Sequence, residues 1–303
     1  YGPLKPEPFS VMKDPDLAKL RDAKDVVIEY AAQLKERGVP LLIVPLPLKP
    51  MLYGELVSSN ATEEWLRHPD TVAFYKLLRD NGVDVLDLTA DLAKFRERRK
   101  HIYIRAPKAT DRAAIAEAEA MEKAKQDAFL MQDTHWTAEA MRFAAEKVSS
   151  YVKQKYPQTK QPVFNEIRAV DGGQSRSMGD LVKLLDLPDP EHGFKEEEQF
   201  LRRISDTTDS KLANITLLGD SFVNIYDDPS LGFADKAKPD VRMHAGFAQH
   251  LSFQLGQPLD VIAMNGKGAT GVRREFAKRN DNEVREKKLV VWVRAARDLL
   301  PDV

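Results

Sequence analysis

The chain has 303 residues, with 46 Lys and Arg against 47 Asp and Glu, a formal net charge of −1 and 43% hydrophobic residues, the composition of a globular protein able to bury a sizeable core. The complete lack of cysteine excludes disulfide scaffolds, thiolate zinc sites, iron–sulfur ligation and a cysteine nucleophile. The balanced charge argues against nucleic acid as a partner, and no apolar run reaches the ~18–20 residues that span a bilayer. The chain opens at Tyr1 with no signal-peptide pattern. That suggests a processed form, so cytoplasm is only a default reading.

Residues 1–15 are Pro-rich and predict an extended lead-in. From Asp16 to Gly38 apolar residues recur at helical spacing, with Gly38 as a stop. The run VPLLIVPLP (39–47) predicts a strand ended by its prolines. A helix over about 62–80 and a turn at Asn81-Gly82 lead to a strand over 83–89. The charged, Ala-rich stretch beyond, with RERRK (96–100) as a solvated face, predicts helices of which 95–125 reads as an insertion. A weak strand at 128–131 precedes a helix over about 137–155, and 156–211 reads as a second insertion of short helices and loops. Core elements return as strands at 214–220, 259–265 and 288–294, separated by helices near 244–256 and 269–280. The alternation predicts an α/β fold, one domain over 1–303, with a mainly parallel sheet of about five strands and helices on both faces.

Two short segments can carry chemistry. In LLGDSF (217–222) an apolar strand ends in Gly219-Asp220-Ser221. A serine there projects above the sheet edge, where backbone N–H groups can hold an oxyanion. Gly219 admits a sharp turn without a Cβ clash. The alternative is a helix N-cap serine. In MQDTHWT (131–137), Asp133 and His135 at i, i+2 share a face in extended backbone. The carboxylate can then orient the imidazole. The alternative is that Asp133 caps the next helix. Taken together, nucleophile, base and orienter all sit at predicted strand ends. The remaining histidines (His68, His101, His192, His244 and His250) lack such a partner. Asp133 and His135 lack a third ligand at useful spacing, so neither a metal nor any other cofactor is expected.

The LLGDSF block resembles block I of the SGNH (GDSL-like) hydrolase superfamily. The reversed order, with DTHW upstream of GDSF, is similar to the AlgJ/AlgX group of alginate O-acetyltransferases. VPLPLKPMLY (44–53), the stretch 245–271 and Tyr226 agree with it. The resemblance spans about 20–295, weakly over 95–125 and 156–211. It implies an SGNH-like three-layer α/β/α sandwich and acetyl transfer through a serine acyl-enzyme, with Ser221 as nucleophile, His135 as general base and acid, and Asp133 as orienter. It also implies a secreted, alginate-like polysaccharide as acceptor, a membrane-bound acyltransferase partner that delivers acetyl groups, and a periplasmic or other extracytoplasmic location. An N-terminal anchor outside this chain would fit that location. The alternatives are a carbohydrate acetylesterase using the same triad, or a catalytically silent polysaccharide-binding subunit.

Residues 266–271 also fit G-x-G-x-x-G after a strand, a dinucleotide fingerprint by spacing. Too little chain follows for a complete dinucleotide site. The loop reads better as an oxyanion-hole contributor through Gly266 or Gly268, with the Asn265 amide. Tyr226, Arg273 and Trp136 are candidates for contacting the sugar, each with a packing role as its alternative.

Overall fold

A computed structural model describes residues 23–58, 69–102, 127–162, 166–205, 209–233 and 240–296. The predicted features at 1–15, at His68 and at 103–126 lie outside the described residues. The strands are β1 (Leu41–Leu46), β2 (Asp84–Val85), β3 (Arg168–Ser177), β4 (Glu197–Ser205), β5 (Ile215–Gly219), β6 (Asp260–Ala263) and β7 (Leu289–Ala295). The helices are α1 (Ala23–Glu36), α2 (Lys49–Leu52), α3 (Gly54–Val57), α4 (Pro69–Asp80), α5 (Thr89–Ile102), α6 (Ala138–Lys155), α7 (Asp180–Leu184), α8 (Ser221–Asn224), α9 (Phe247–Leu255), α10 (Gly268–Phe276) and α11 (Asp281–Arg285).

Strands that are apolar on both faces belong in the middle of a parallel sheet. β1, β5 and β7 are buried at every position, and five strands pair in the order β2-β1-β7-β5-β6. Every pairing among them is parallel. Alternate side chains then supply two cores. Leu42, Val291 and Leu217 face the α6 and α9 side with Met141, Val148 and Phe247. Ile43, Trp292 and Leu218 face the α1, α4 and α10 side with Leu34, Phe74 and Val272. The result is a three-layer α/β/α sandwich. No described helix is long and apolar enough to cross a membrane.

Three local expectations change. Pro45 does not end β1; it pairs opposite Arg294 of β7, and the ladder to β2 has already stopped at Ile43. Residues 128–131 add no strand to the sheet; Phe129 makes a lone antiparallel bridge to Trp136. The segment 156–211 is more ordered than expected, because β3 and β4 pair as an antiparallel ribbon with an irregularity between Asp171 and Gln174. Its sequence hides this: most of β3 is exposed, so no apolar alternation marks it.

The ribbon is tied to α9 by His250, which is buried and donates through Nε2 to the Arg202 carbonyl (3.0 Å). Burial first, with the charges of Arg142 and Arg202, pushes its pKa from 6.5 down to about 4. The imidazole is therefore neutral in the fold but protonates in the unfolded chain below about pH 6.5. Its stabilisation is present above that pH and is lost as pH falls towards 4, to the extent of roughly 3 kcal/mol. His250→Gln keeps a donor for the carbonyl, so its Tm should fall less steeply than the wild type's over that range. An equally steep fall would show that His250 does not carry this dependence.

Candidate active site

The crevice of an open parallel sheet lies at the carboxyl ends of its strands, where the strand order reverses. Here the chain moves outward from β1 to β2 and later outward from β5 to β6, with β7 between β1 and β5. Ser221 directly follows β5, and Lys49 opens α2 just after β1. Asp220, not Ser221, is the N-cap of α8: its carboxylate accepts the Phe222 N–H (2.9 Å) and its carbonyl the Val223 N–H (3.0 Å). Ser221 is therefore the first residue of the helix, and its hydroxyl is left out of the capping. The need for Gly219 is close packing, since a Cβ there would lie 2.2 Å from Cγ2 of the Val223 side chain.

His135 Nε2 lies 2.8 Å from Ser221 Oγ, and His135 Nδ1 lies 2.6 Å from Asp133 Oδ1. A carboxylate can only accept, so the ring proton sits on Nδ1 and Nε2 faces the serine as a base. Asp133 and His135 are brought together by a tight turn rather than by extended backbone: the His135 N–H also donates to Asp133 Oδ1 (2.9 Å). Neither residue caps α6, whose N-cap is Thr137. Burial pushes the Asp133 carboxyl up, but hydrogen bonds from the His135 side chain, the His135 charge and the N–H groups of His135 and Asp180 outweigh it. Together they hold Asp133 below the usual carboxylate range. The base thus has an ionised partner.

The turn is locked by residues that sequence spacing did not reveal. Asp180 donates its N–H to Asp133 Oδ2 (3.0 Å), while its carboxylate accepts the Thr134 N–H (2.7 Å) and hydroxyl. Glu197 accepts the N–H groups of Met131 (2.7 Å) and Gln132 (2.6 Å). Lys49 donates to the carbonyls of Leu130 (2.7 Å) and Met131 (2.6 Å). Burial lowers the Lys49 pKa against the opposing pull of Glu197, Asp133, Asp180 and Asp127. Asp180 and Glu197 come from the second insertion, 46 or more residues away along the chain. Asp180 also supplies the third ligand that spacing had not offered, since Asp133, His135 and Asp180 lie within ligating reach of one another. Their oxygens already accept the hydrogen bonds just described, so the cluster is a network of donors and acceptors.

The profile of the family described as "SGNH hydrolase-like domain, acetyltransferase AlgX" matches residues 9–111 and 107–294. The chain belongs to this family. It resembles in fold the O-acetyltransferase domain of Pseudomonas putida AlgJ, with a TM-score of 0.62 and 19% identity over 93% of this chain and 84% of that one. It likewise resembles Pseudomonas aeruginosa AlgX, with a TM-score of 0.55 and 14% identity over 90% of this chain. Only 56% of that AlgX chain is covered. A search of functionally curated proteins gives no match.

Three residues expected to contact sugar do not line the site of this AlgX-family domain. Trp136 is fully buried, stacks on Phe247 (5.4 Å between centroids) and donates Nε1–H to the Phe222 carbonyl. Tyr226 is equally buried and donates its hydroxyl to the Trp136 carbonyl (2.8 Å). Both form the floor beneath His135, whose ring packs on Phe222 at 4.8 Å. Arg273 lies over Tyr30 and Trp292, on the α1 face of the sheet. In each case an aromatic or cationic side chain beside a functional residue belongs to the packing. The loop after β6 contacts the two elements that flank Ser221, the end of β5 and α8. Met264 N–H donates to the Gly219 carbonyl (3.0 Å), and Asn224 of α8 donates to Asn265 Oδ1 (2.9 Å). Gly266 and Gly268 in that loop have positive φ. Asn265 Nδ2 donates to Asp228 (2.8 Å). Away from the site, His192 pairs with Asp189 on the surface and His244 is exposed.

Asp180→Ala removes the clamp on Thr134 and so loosens the turn that aims His135, while the Ser221 and His135 side chains themselves are unchanged. Small misplacements of reacting groups cost up to about 100-fold. Labelling of Ser221 by a fluorophosphonate should slow by roughly 10- to 100-fold with the circular dichroism unchanged; an unaltered rate would remove Asp180 from the positioning network. Gly219→Ala should slow it as well, and lower Tm, because Val223 must move and carry α8 with it.

Proposed function

We propose that this domain is a polysaccharide O-acetyltransferase working through an acetyl-Ser221 intermediate. The observation that carries this reading is the chain of short contacts from Asp133 through His135 to Ser221 Oγ. In the first half-reaction His135 Nε2 takes the Ser221 proton and Oγ bonds to the acetyl carbonyl carbon. The oxyanion collapses, and the donor's oxygen leaves with the proton from His135. In the second, His135 deprotonates a sugar hydroxyl, which attacks the acetyl carbon; the bond to Oγ breaks and Ser221 recovers its proton. The oxyanion would be held by the Ser221 N–H, because the next two N–H groups already serve Asp220. Donors on the loop of Asn265, Gly266 and Gly268 would complete the hole.

The AlgX description of the family and the AlgJ O-acetyltransferase domain support acetyl as the group transferred. From the same likeness we infer one catalytic domain acting on a secreted polysaccharide outside the cytoplasm, and a membrane-bound acyltransferase as the source of acetyl groups. Ser221→Ala should abolish the acetyl adduct formed from an aryl acetate, seen by intact mass, and slow acetyl release by about 10⁴-fold or more. His135→Ala should do nearly the same. Full transfer by Ser221→Ala protein would rule out the scheme. Product partition between acetylated sugar and free acetate, with oligosaccharide present, separates transferase from esterase.

A further inference from the structure

The loop after β6, which on the reading above supplies the remaining oxyanion donors, has a permissive backbone. Gly266 and Gly268 both have positive φ, a conformation that glycine enters and leaves at little steric cost. The shape of the loop must therefore be fixed from outside it. One tie is the Met264 N–H, which donates to the Gly219 carbonyl (3.0 Å), just ahead of Ser221. The other is a relay of side chains. Asn224, buried at the end of α8, donates through Nδ2 to the Ala263 carbonyl (3.3 Å) and to Asn265 Oδ1 (2.9 Å). Asn265 Nδ2 in turn donates to Asp228 Oδ2 (2.8 Å). The turn after α8 brings Asp228 back to this place, because the Asp227 and Asp228 N–H groups both donate to the Asn224 carbonyl (2.8 Å each).

The relay has a fixed polarity. A carbonyl and a carboxylate can only accept. The Ala263 carbonyl therefore orients the Asn224 amide at one end, and Asp228 orients the Asn265 amide at the other. Neither amide can turn over without setting donor against donor or acceptor against acceptor. Burial pushes the Asp228 carboxyl up, but the Ser230 hydroxyl and N–H, the Asn265 amide and the Arg242 charge outweigh it and hold it below the usual carboxylate range. Asp228 also has an ordinary duty: its Oδ1 accepts the Ser230 N–H (2.9 Å) and hydroxyl (2.7 Å), capping the turn at Pro229–Leu231. That duty occupies Oδ1, and Oδ2 serves Asn265. We propose that Asp228 is a positioning residue for acyl transfer: through Asn265 it holds the loop after β6 in the shape that presents its donors to the oxyanion. This rests on the acetyl-Ser221 reading above and adds a residue that acts at one remove, through the Asn265 side chain.

Two variants test it. Asp228→Asn is isosteric and an equally good cap, but it has one oxygen where two are needed. The two donors of Ser230 outbid the single one of Asn265, so an amide N–H is left facing Asn265 Nδ2. Asp228→Ser keeps a capping oxygen but is too short to reach Asn265. Electrostatics alone would make the loss of a negative charge beside a developing oxyanion favourable. The opposite sign is expected. In both variants kcat for p-nitrophenyl acetate should fall by about 10- to 100-fold with KM unchanged, the pattern of an interaction made only in the transition state. Affinity for a trifluoromethyl ketone, whose hemiketal carries an oxyanion, should fall by the same factor. Tm should stay close to that of the wild type. An unchanged or higher kcat in Asp228→Ser overturns the proposal, as does a rise in KM alone. A loss of rate that comes with a marked fall in Tm in both variants reduces Asp228 to a structural cap and overturns it as well. If the wild-type protein forms no acetyl adduct by intact mass, the acyl-enzyme reading has failed and takes the proposal with it. An adduct on the wild type without these losses in the variants is the failure of the proposal alone.

Discussion

The arrangement of the site depends on one buried carboxylate. Asp133 is 1% exposed, and an ionised group so far from water is stable only if its oxygens are hydrogen-bonded. Oδ1 takes the ring and backbone N–H groups of His135, and Oδ2 takes the N–H of Asp180. The first two contacts force the turn that aims Nε2 at Ser221. The third requires the loop after β3 to approach the DTHW segment at backbone distance. Gly179 is what permits this. Its φ is +83°, and a Cβ there would lie 2.1 Å from the Gln132 carbonyl oxygen. The second insertion is therefore part of the proposed catalytic apparatus, since without its N–H the charge on Asp133 would be under-solvated.

The nucleophile is held by a different logic. A parallel sheet buried on both faces cannot shift its strands without exposing two cores, so the end of β5 is a fixed point. Asp220 caps α8, Gly219 lets that helix sit against the strand, and Phe222 presents its ring to His135. Trp136 and Tyr226 then close a loop of contacts: Trp136 donates to the Phe222 carbonyl, and Tyr226 to the Trp136 carbonyl. The base and the nucleophile, 86 residues apart, are cross-braced by the core. Rigid positioning of this kind is what turns a weakly nucleophilic hydroxyl into a reactive one.

These two kinds of constraint explain what could be read from the sequence. Strand runs such as LLIVPL and LVVWV are apolar throughout, Ser221 sits where one of them ends, and Asp133 and His135 are two residues apart, so the sheet and the Asp133, His135 and Ser221 set are legible from local pattern even though the pair lies in a turn and not at a strand end. The family resemblance adds acetyl chemistry to them. Asp180, Glu197 and Lys49 are not legible, because their partners are backbone groups of a segment distant along the chain and no spacing rule connects them. Trp136 and Tyr226 mislead for the opposite reason. An aromatic beside a catalytic residue has the same local sequence whether it faces a ligand or a core, and only tertiary packing decides. The β3–β4 ribbon escapes because its outer face is solvated and its β3 strand lacks the period-two signal.

A formal net charge of −1 conceals an uneven distribution, and the proposed chemistry depends on it. In both proposed half-reactions positive charge would develop on the His135 ring as it holds a transferred proton. Asp133 in contact, and Asp180 at 3.7 Å from Nδ1, both favour that charge. An unpaired cation beside the ring would oppose it. Two cations of this region are occupied instead: Lys49 holds carbonyls of the DTHW loop, and Arg242 is paired with Asp227. The carboxylates that shape the DTHW turn therefore also stabilise the imidazolium that the proposed reaction requires, so the local fold and the proposed chemistry draw on the same charges.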